Sequence, residues 1–529
     1  MKYSRKLLSL FLSAALLLSL CACSGSPASP YDGMFGGEIT VPEQTAANTQ
    51  ETTAFTLKND DTDTTQPPKT SNTNGKRCVA YYTSWSAYAR NVTVGDMDPS
   101  LLTHINFAFA NLNANGEIVV GDSWVDLEKP FNGESWEAPN DSRGHFNALR
   151  ELKKTYPHIQ TLISVGGWTW SKSFSDVAAS DSGRDTFAKS AAAFVSKYGF
   201  DGIDIDWEFP VEGGDNITHR PEDKQNYTLL LAKTRAALDA QGQADGKRYL
   251  LTIAGGPNVS FTKNTELTEM MKYLDFINVM AYDYHGGWEN TTNHNAPLYA
   301  NPNDPTELKD YCVESTINAY LDAGLSPADL NLGLAFYGRG WTEVTSSANN
   351  GLWQSGKAST ATGYGLGTWE GACFDYWDLA ENYVGKNGYT RYFDDTAKVP
   401  YLYNGSSFIS YDDAESIRTK LEFADAKGLG GAMFWEFSGD KKMELQKVLA
   451  DYYGLNAQAI SSQQTTVPSS APSDTTTLPQ SADEEWDASK IYNGGDTAVY
   501  QGKSFRAKWW TQGETPDSAK EDGPWELIS

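Results

Sequence analysis

Residues 201–208 read Asp201-Gly202-Ile203-Asp204-Ile205-Asp206-Trp207-Glu208. Asp204, Asp206 and Glu208 are spaced by two, and Ile203, Ile205 and Trp207 fill the alternate positions. On an extended strand this pattern puts the acids on one face and the apolar side chains on the other. Carboxylates turned toward a protein interior are unfavourable unless they serve a purpose there. Crowded carboxylates also raise one another's proton affinity, which helps keep one of them protonated near neutral pH as a general acid. A solvated acidic loop and a divalent metal site are the other readings. The Ile and Trp between the acids argue against the loop, and the lack of a histidine within the stretch weakens the metal reading.

Similar short apolar runs lie on both sides of this one. They are Cys78–Ser84, His104–Ala110, Thr161–Val165, Tyr249–Ala254, Phe276–Tyr282, Leu330–Tyr337 and Gly431–Phe437, and Gly202–Trp207 brings the set to eight. Between most of them lie helix-like stretches, such as Asp185–Tyr198 and Glu222–Leu238. Strands alternating with helices imply a parallel sheet, and eight such units imply a (β/α)8 TIM barrel. The three acids then line the C-terminal mouth where barrel enzymes work. Trp207, of opposite parity, belongs to the core outside the barrel. The segment 341–428 holds Tyr364, Trp369, Phe374, Tyr392, Tyr401 and Phe408 in strand-like patches. It reads in part as an inserted α+β subdomain before the eighth strand.

The 529 residues exceed one ordinary domain. Acidic residues number 68 against 42 basic ones, for a net charge of −26. That excludes the basic footprint of a nucleic-acid binder and suits a neutral substrate. The 16 Trp and 28 Tyr raise the prospect of ring-stacking surfaces for sugars. Lys2, Arg5 and Lys6 precede an apolar run from Leu7 to Leu20, the layout of a signal peptide over 1–22. Leu20-Cys21-Ala22-Cys23 resembles a bacterial lipobox with Cys23 as the acylated residue; plain cleavage near Ala22 is the alternative. Polar linkers are expected over 24–75 and 457–483, separating a catalytic block at 76–456 from a small all-β module at 484–529. The remaining cysteines, Cys78, Cys312 and Cys373, are odd in number and fit no zinc pattern.

Several motifs together resemble glycoside hydrolase family 18, the chitinase family. Asp201 to Glu208 matches its fourth-strand signature, Ser164-Val165-Gly166-Gly167 its third-strand motif and Met280-Ala281-Tyr282-Asp283-Tyr284-His285-Gly286 its sixth. Tyr337-Gly338-Arg339 and Gly431-Ala432-Met433-Phe434-Trp435 resemble the seventh and eighth. The resemblance implies retaining hydrolysis in which Glu208 protonates the glycosidic oxygen and the substrate's own 2-acetamido oxygen attacks the anomeric carbon. Asp206 would hydrogen-bond the acetamido N–H and Glu208, and Asp204 would share a hydrogen bond or proton with Asp206. Tyr282 would donate to the acetamido carbonyl, and Asp283 would hold the distorted sugar.

By the same resemblance Trp435 floors the subsite of the reacting sugar, and Trp168 and Trp288 stack on the leaving-group side. Tyr81, Phe107, Met280, Tyr337 and Arg339 line the cleft, with a core role as the alternative for each. Ser164, Gly166 and Gly167 are read as structural, and His285 receives no role. No cofactor, metal or nucleic-acid partner is implied, and the chain is read as a monomer. Endo-β-N-acetylglucosaminidase activity on N-glycans and a non-catalytic chitin-binding adhesin are the alternatives. The tail, with Ala507-Lys508-Trp509-Trp510-Thr511, resembles chitin-binding modules of carbohydrate-binding families 5 and 12. Adjacent Trp509 and Trp510 cannot both point inward on a strand, so at least one ring should be free to stack on sugar.

Overall fold

The computed structural model describes residues 75–131, 134–137, 139, 142–308, 310–455, 485–488, 490–492, 497–508, 511–516 and 523–528. Cys23, Trp509 and Trp510 lie outside the described residues.

Eight parallel strands form the barrel: β1 Arg77–Thr83, β2 His104–Leu112, β3 Gln160–Gly166, β4 Gly202–Asp206, β5 Leu250–Gly255, β6 Phe276–Val279, β7 Leu330–Ala335 and β8 Gly431–Trp435. Each pairs with the next, and β1 pairs with both β2 and β8, which closes the ring. The outer faces meet the helices in one continuous apolar shell. Ile203, Ile205 and Trp207 lie in it, fully buried, with the Trp207 ring stacked on Phe174 at 5.4 Å. The parity read from residues 201–208 therefore holds on both faces.

The helices run further than their apolar periodicity indicates. Asp181–Tyr198 starts a turn before Asp185, because Ser180 caps it by accepting from the Gly183 N–H. Asp223–Asp245 continues past Leu238 through polar residues and stops at Gly246, whose φ of 69° ends the helix in the left-handed conformation.

One cleft assignment fails on parity. Phe107 is fully buried in the outer shell, its ring 5.3 Å from Phe146 and 5.9 Å from Tyr82. The pairing of β2 with β3 shifts between Ala108 and Ala110. This irregularity turns Phe109, not Phe107, toward the cleft, where it stacks on Trp435 at 5.7 Å.

The insertion also begins earlier than expected. β7 ends at Ala335, and Tyr337–Trp341 already belongs to a second, antiparallel sheet. Its order is Cys373–Asp375, Tyr337–Trp341, Phe408–Ser410, Val399–Tyr403, Thr390–Asp394. Trp341, Val344, Leu352, Tyr401, Tyr403 and Phe408 form a core of its own. Helix Ala414–Lys427, within the expected insertion, instead packs Ile417 and Leu421 into the barrel shell. The run from Leu330 to Tyr337, apolar apart from Asn331 and Gly333, hides the change of sheet.

In the C-terminal module, Thr497–Tyr500, Lys503–Ala507 and Trp525–Leu527 form an antiparallel sheet, and Ile491–Tyr492 pairs with Thr511–Gln512. Tyr492, Ala498, Phe505, Ala507 and Trp525 make its core, with Trp486 packed against it. Among the described residues no helix is long and apolar enough to cross a membrane.

Candidate active site

The register of β4 against its neighbours sets Asp204 level with Ser164 on β3 and Thr252 on β5. The buried Asp204 carboxylate consequently accepts from the hydroxyls of Thr252 at 2.6 Å, Tyr81 at 2.7 Å and Ser164 at 2.8 Å. Burial raises its proton affinity, and these hydrogen bonds oppose the rise. Ser164 is thus more than backbone scaffolding. Among the described hydrogen bonds none joins Asp204 to Asp206; the three hydroxyls take up Asp204's oxygens instead.

Asp206, two residues on and facing the same way, has a different setting. Its Oδ1 is buried without a hydrogen-bond partner among the described residues. Burial first, then the charges of Glu208 and Asp204, hold its proton affinity well above the usual carboxylate range. Gly166 makes the close packing here possible: with φ of 110°, a Cβ would lie 2.3 Å from the Asp206 carbonyl oxygen. Gly167 then donates its N–H to that carbonyl at 2.8 Å. The Glu208 main-chain N–H donates to Ser171 Oγ at 3.0 Å. Burial, followed by the charge of Asp283, pushes the Glu208 carboxyl up to about 8.

The end of β6 supplies the opposite side. Among the described hydrogen bonds the Tyr282 hydroxyl has a single partner, Met433 Sδ, a weak acceptor 3.8 Å away. Burial and then the charges of Asp206, Asp283 and Glu208 keep that hydroxyl protonated. Asp283 stands at φ 57°, left-handed for a residue with a side chain, and its carboxylate accepts from Arg339 Nε and Nη2, both at 2.8 Å. Arg339, on the first strand of the insertion, lies over the rings of Tyr337 at 5.1 Å and Trp288 at 5.5 Å. Arg339 therefore joins the insertion to the barrel mouth.

Of the other sequence-selected residues, Tyr81, Met280, Tyr337 and Trp435 converge in a cluster on the inner side of the barrel. Trp435 lies 5.6 Å from Tyr81 and 6.4 Å from Trp85. Trp168 and Trp288 are 52% and 59% exposed, large apolar areas left open to solvent. Sequence reasoning missed Phe109, Trp85, Thr252 and Ser171. For Phe109 the only distinguishing signal is the β2 irregularity. For Thr252 it is the strand register, which a sequence does not display. Trp124 and Trp136, also missed, stack at 5.6 Å and are 42% and 62% exposed.

Residues 77–440 match the sequence model of Glycosyl hydrolases family 18, and residues 485–526 that of Carbohydrate-binding module family 5/12. Chitinase A1 of Niallia circulans is 44% identical over 482 residues, spanning 82% of this chain and 68% of the relative. Among solved structures, chitinase ChiA74 from Bacillus thuringiensis superposes with a TM-score of 0.67 at 42% identity, covering 72% of this chain and 69% of its own. A family 18 N-acetylglucosaminidase from Paenibacillus barengoltzii gives 0.60 at 34% identity, covering 71% and 99%.

Proposed function

The chain belongs to glycosyl hydrolase family 18, with a family 5/12 carbohydrate-binding module at its C-terminus, and we propose that it hydrolyses chitin and chitooligosaccharides by a retaining, substrate-assisted route. The observation that carries the reading is the sequence of environments along one strand face. Asp204 is saturated with hydroxyl donors, Asp206 keeps a buried oxygen unpartnered, and Glu208 holds its proton near neutral pH. A protonated Glu208 gives its proton to the glycosidic oxygen as the bond to C1 breaks. The acetamido oxygen of the same sugar closes onto C1, and the positive charge passes to an oxazolinium ring. Asp206 accepts the acetamido N–H, while the Tyr282 hydroxyl orients the acetamido carbonyl. Glu208, now a carboxylate, takes a proton from the water that opens the ring, so the configuration at C1 is retained.

Trp435, Trp168 and Trp288 are assigned to sugar stacking, with Tyr81, Phe109, Met280, Tyr337 and Arg339 around the cleft. Trp509 and Trp510 are assigned to holding insoluble chitin. The basic and apolar start of the chain supports export with Cys23 as a lipid anchor. The test is incubation of the purified protein with insoluble chitin and with a high-mannose glycoprotein. Short N-acetylglucosamine oligomers are the expected products; deglycosylation or binding without products overturns the reading.

A further inference from the structure

The loop leaving β6 carries Asp283 and Trp288 and returns to the site at Asn295. Asn295 is buried, and its four polar groups are all engaged. Its Oδ1 accepts the Asp283 N–H at 3.1 Å, and its carbonyl accepts the Tyr284 N–H at 3.0 Å. Its Nδ2 donates to the Tyr337 carbonyl at 3.4 Å, and its N–H donates to Ser410 Oγ at 2.9 Å. Tyr337 and Ser410 lie on two strands of the insertion sheet. The preceding residues strengthen the joint: His294 Nε2 lies 3.2 Å from Asp394 Oδ2 on the edge strand, and the Thr292 N–H donates to the Gln354 carbonyl at 2.9 Å.

We infer that Asn295 is a positioning residue through which the insertion sheet fixes Asp283 in its left-handed conformation against Glu208. A non-glycine residue at φ 57° persists when its surroundings over-determine it. Here the backbone is held from one side by Asn295 Oδ1 and the carboxylate from the other by Arg339. Arg339 belongs to the insertion and Asn295 is anchored to it, so the subdomain sets the angle of an acid that belongs to the barrel. The inference rests on the role given to Asp283 above.

The test compares Asn295→Ala, Ser410→Ala and Asp283→Asn on a short soluble chitooligosaccharide, with thermal unfolding of each. Ser410→Ala removes only the acceptor of the Asn295 N–H and is the variant to read if Asn295→Ala does not fold. Asn295→Ala is expected to lower kcat by about 10²-fold, the scale of a misplacement near 1 Å. Ser410→Ala is expected to lower it by about tenfold, the scale of one lost hydrogen bond.

The pH profile separates positioning from a merely structural role. Asp206, Tyr282 and Asp283 are the titratable groups facing Glu208, and the Asp283 charge helps hold the Glu208 proton. Swinging Asp283 away moves the alkaline limb of kcat/KM to lower pH. A lowered melting temperature with kcat per folded molecule and the alkaline limb unchanged in the Asn295 and Ser410 variants overturns the inference, if Asp283→Asn alters both. If Asp283→Asn alters neither, the role of Asp283 fails and the inference falls with it.

Discussion

Asp204 and Asp206 occupy the same face of one strand, two residues apart, and their surroundings are opposite. The first receives three hydroxyls, two from the strands on either side and one from Tyr81 on β1; the second has a buried oxygen without a hydrogen-bond partner among the described residues. A buried polar atom without a partner is destabilising by about 1–3 kcal/mol, so it persists where something outside the fold completes it. Asp204 is thus a finished hydrogen-bond acceptor, and Asp206 beside it is left with hydrogen-bonding capacity for substrate. The Tyr282 hydroxyl, whose one described hydrogen-bond partner is a sulfur, lies on the unfinished side with Asp206.

Substitutions that cross this boundary should differ in kind. Glu208→Gln removes the proton donor and should lower turnover of soluble substrate by about 10²–10⁴-fold while leaving binding and unfolding temperature near wild type. Retained turnover would place the acid elsewhere. Tyr282→Phe removes one oriented donor, and a fall of about 10²-fold in kcat is expected. Asp204→Asn acts on the finished side. It should destabilise the fold by about 1–3 kcal/mol by mismatching donors against the surrounding hydroxyls, measured as a lower denaturation midpoint, with a smaller loss of kcat than at Tyr282. An Asp204 variant of normal stability and abolished turnover would erase the distinction between the two acids.

The pH profile sharpens the comparison further. Glu208 acts as the protonated form, and its carboxyl is raised to about 8. Activity is therefore present below that value and lost as pH rises through it, and kcat/KM should bend downward near pH 8. The smallest effect is expected from removing residues 484–529 or from Trp509→Ala with Trp510→Ala. Hydrolysis of a soluble oligomer should stay unchanged, and binding to insoluble chitin should weaken, because the module acts by local concentration. Collapse of soluble turnover would mean that the barrel needs the module to fold.

Much of this was legible in the linear chain because period-two alternation is a local property. The eight strand runs, the inward acids and the outward Trp207 all follow from residue spacing, and the ordered motifs pointed to family 18. Three matters required the folded molecule. The β2 irregularity replaced Phe107 with Phe109, since two residues of equal parity can be told apart only by where pairing slips. The donors to Asp204 come from residues 123, 40 and 48 positions away, Ser164 and Thr252 brought level by strand register and Tyr81 by closure of the barrel. The left-handed Asp283 and its restraint by Asn295 depend on a second sheet whose strands start inside a largely apolar run that looks continuous. Local patterning determines which face a side chain takes; which partners stand opposite is decided by packing between segments far apart in the chain, and no spacing rule encodes that.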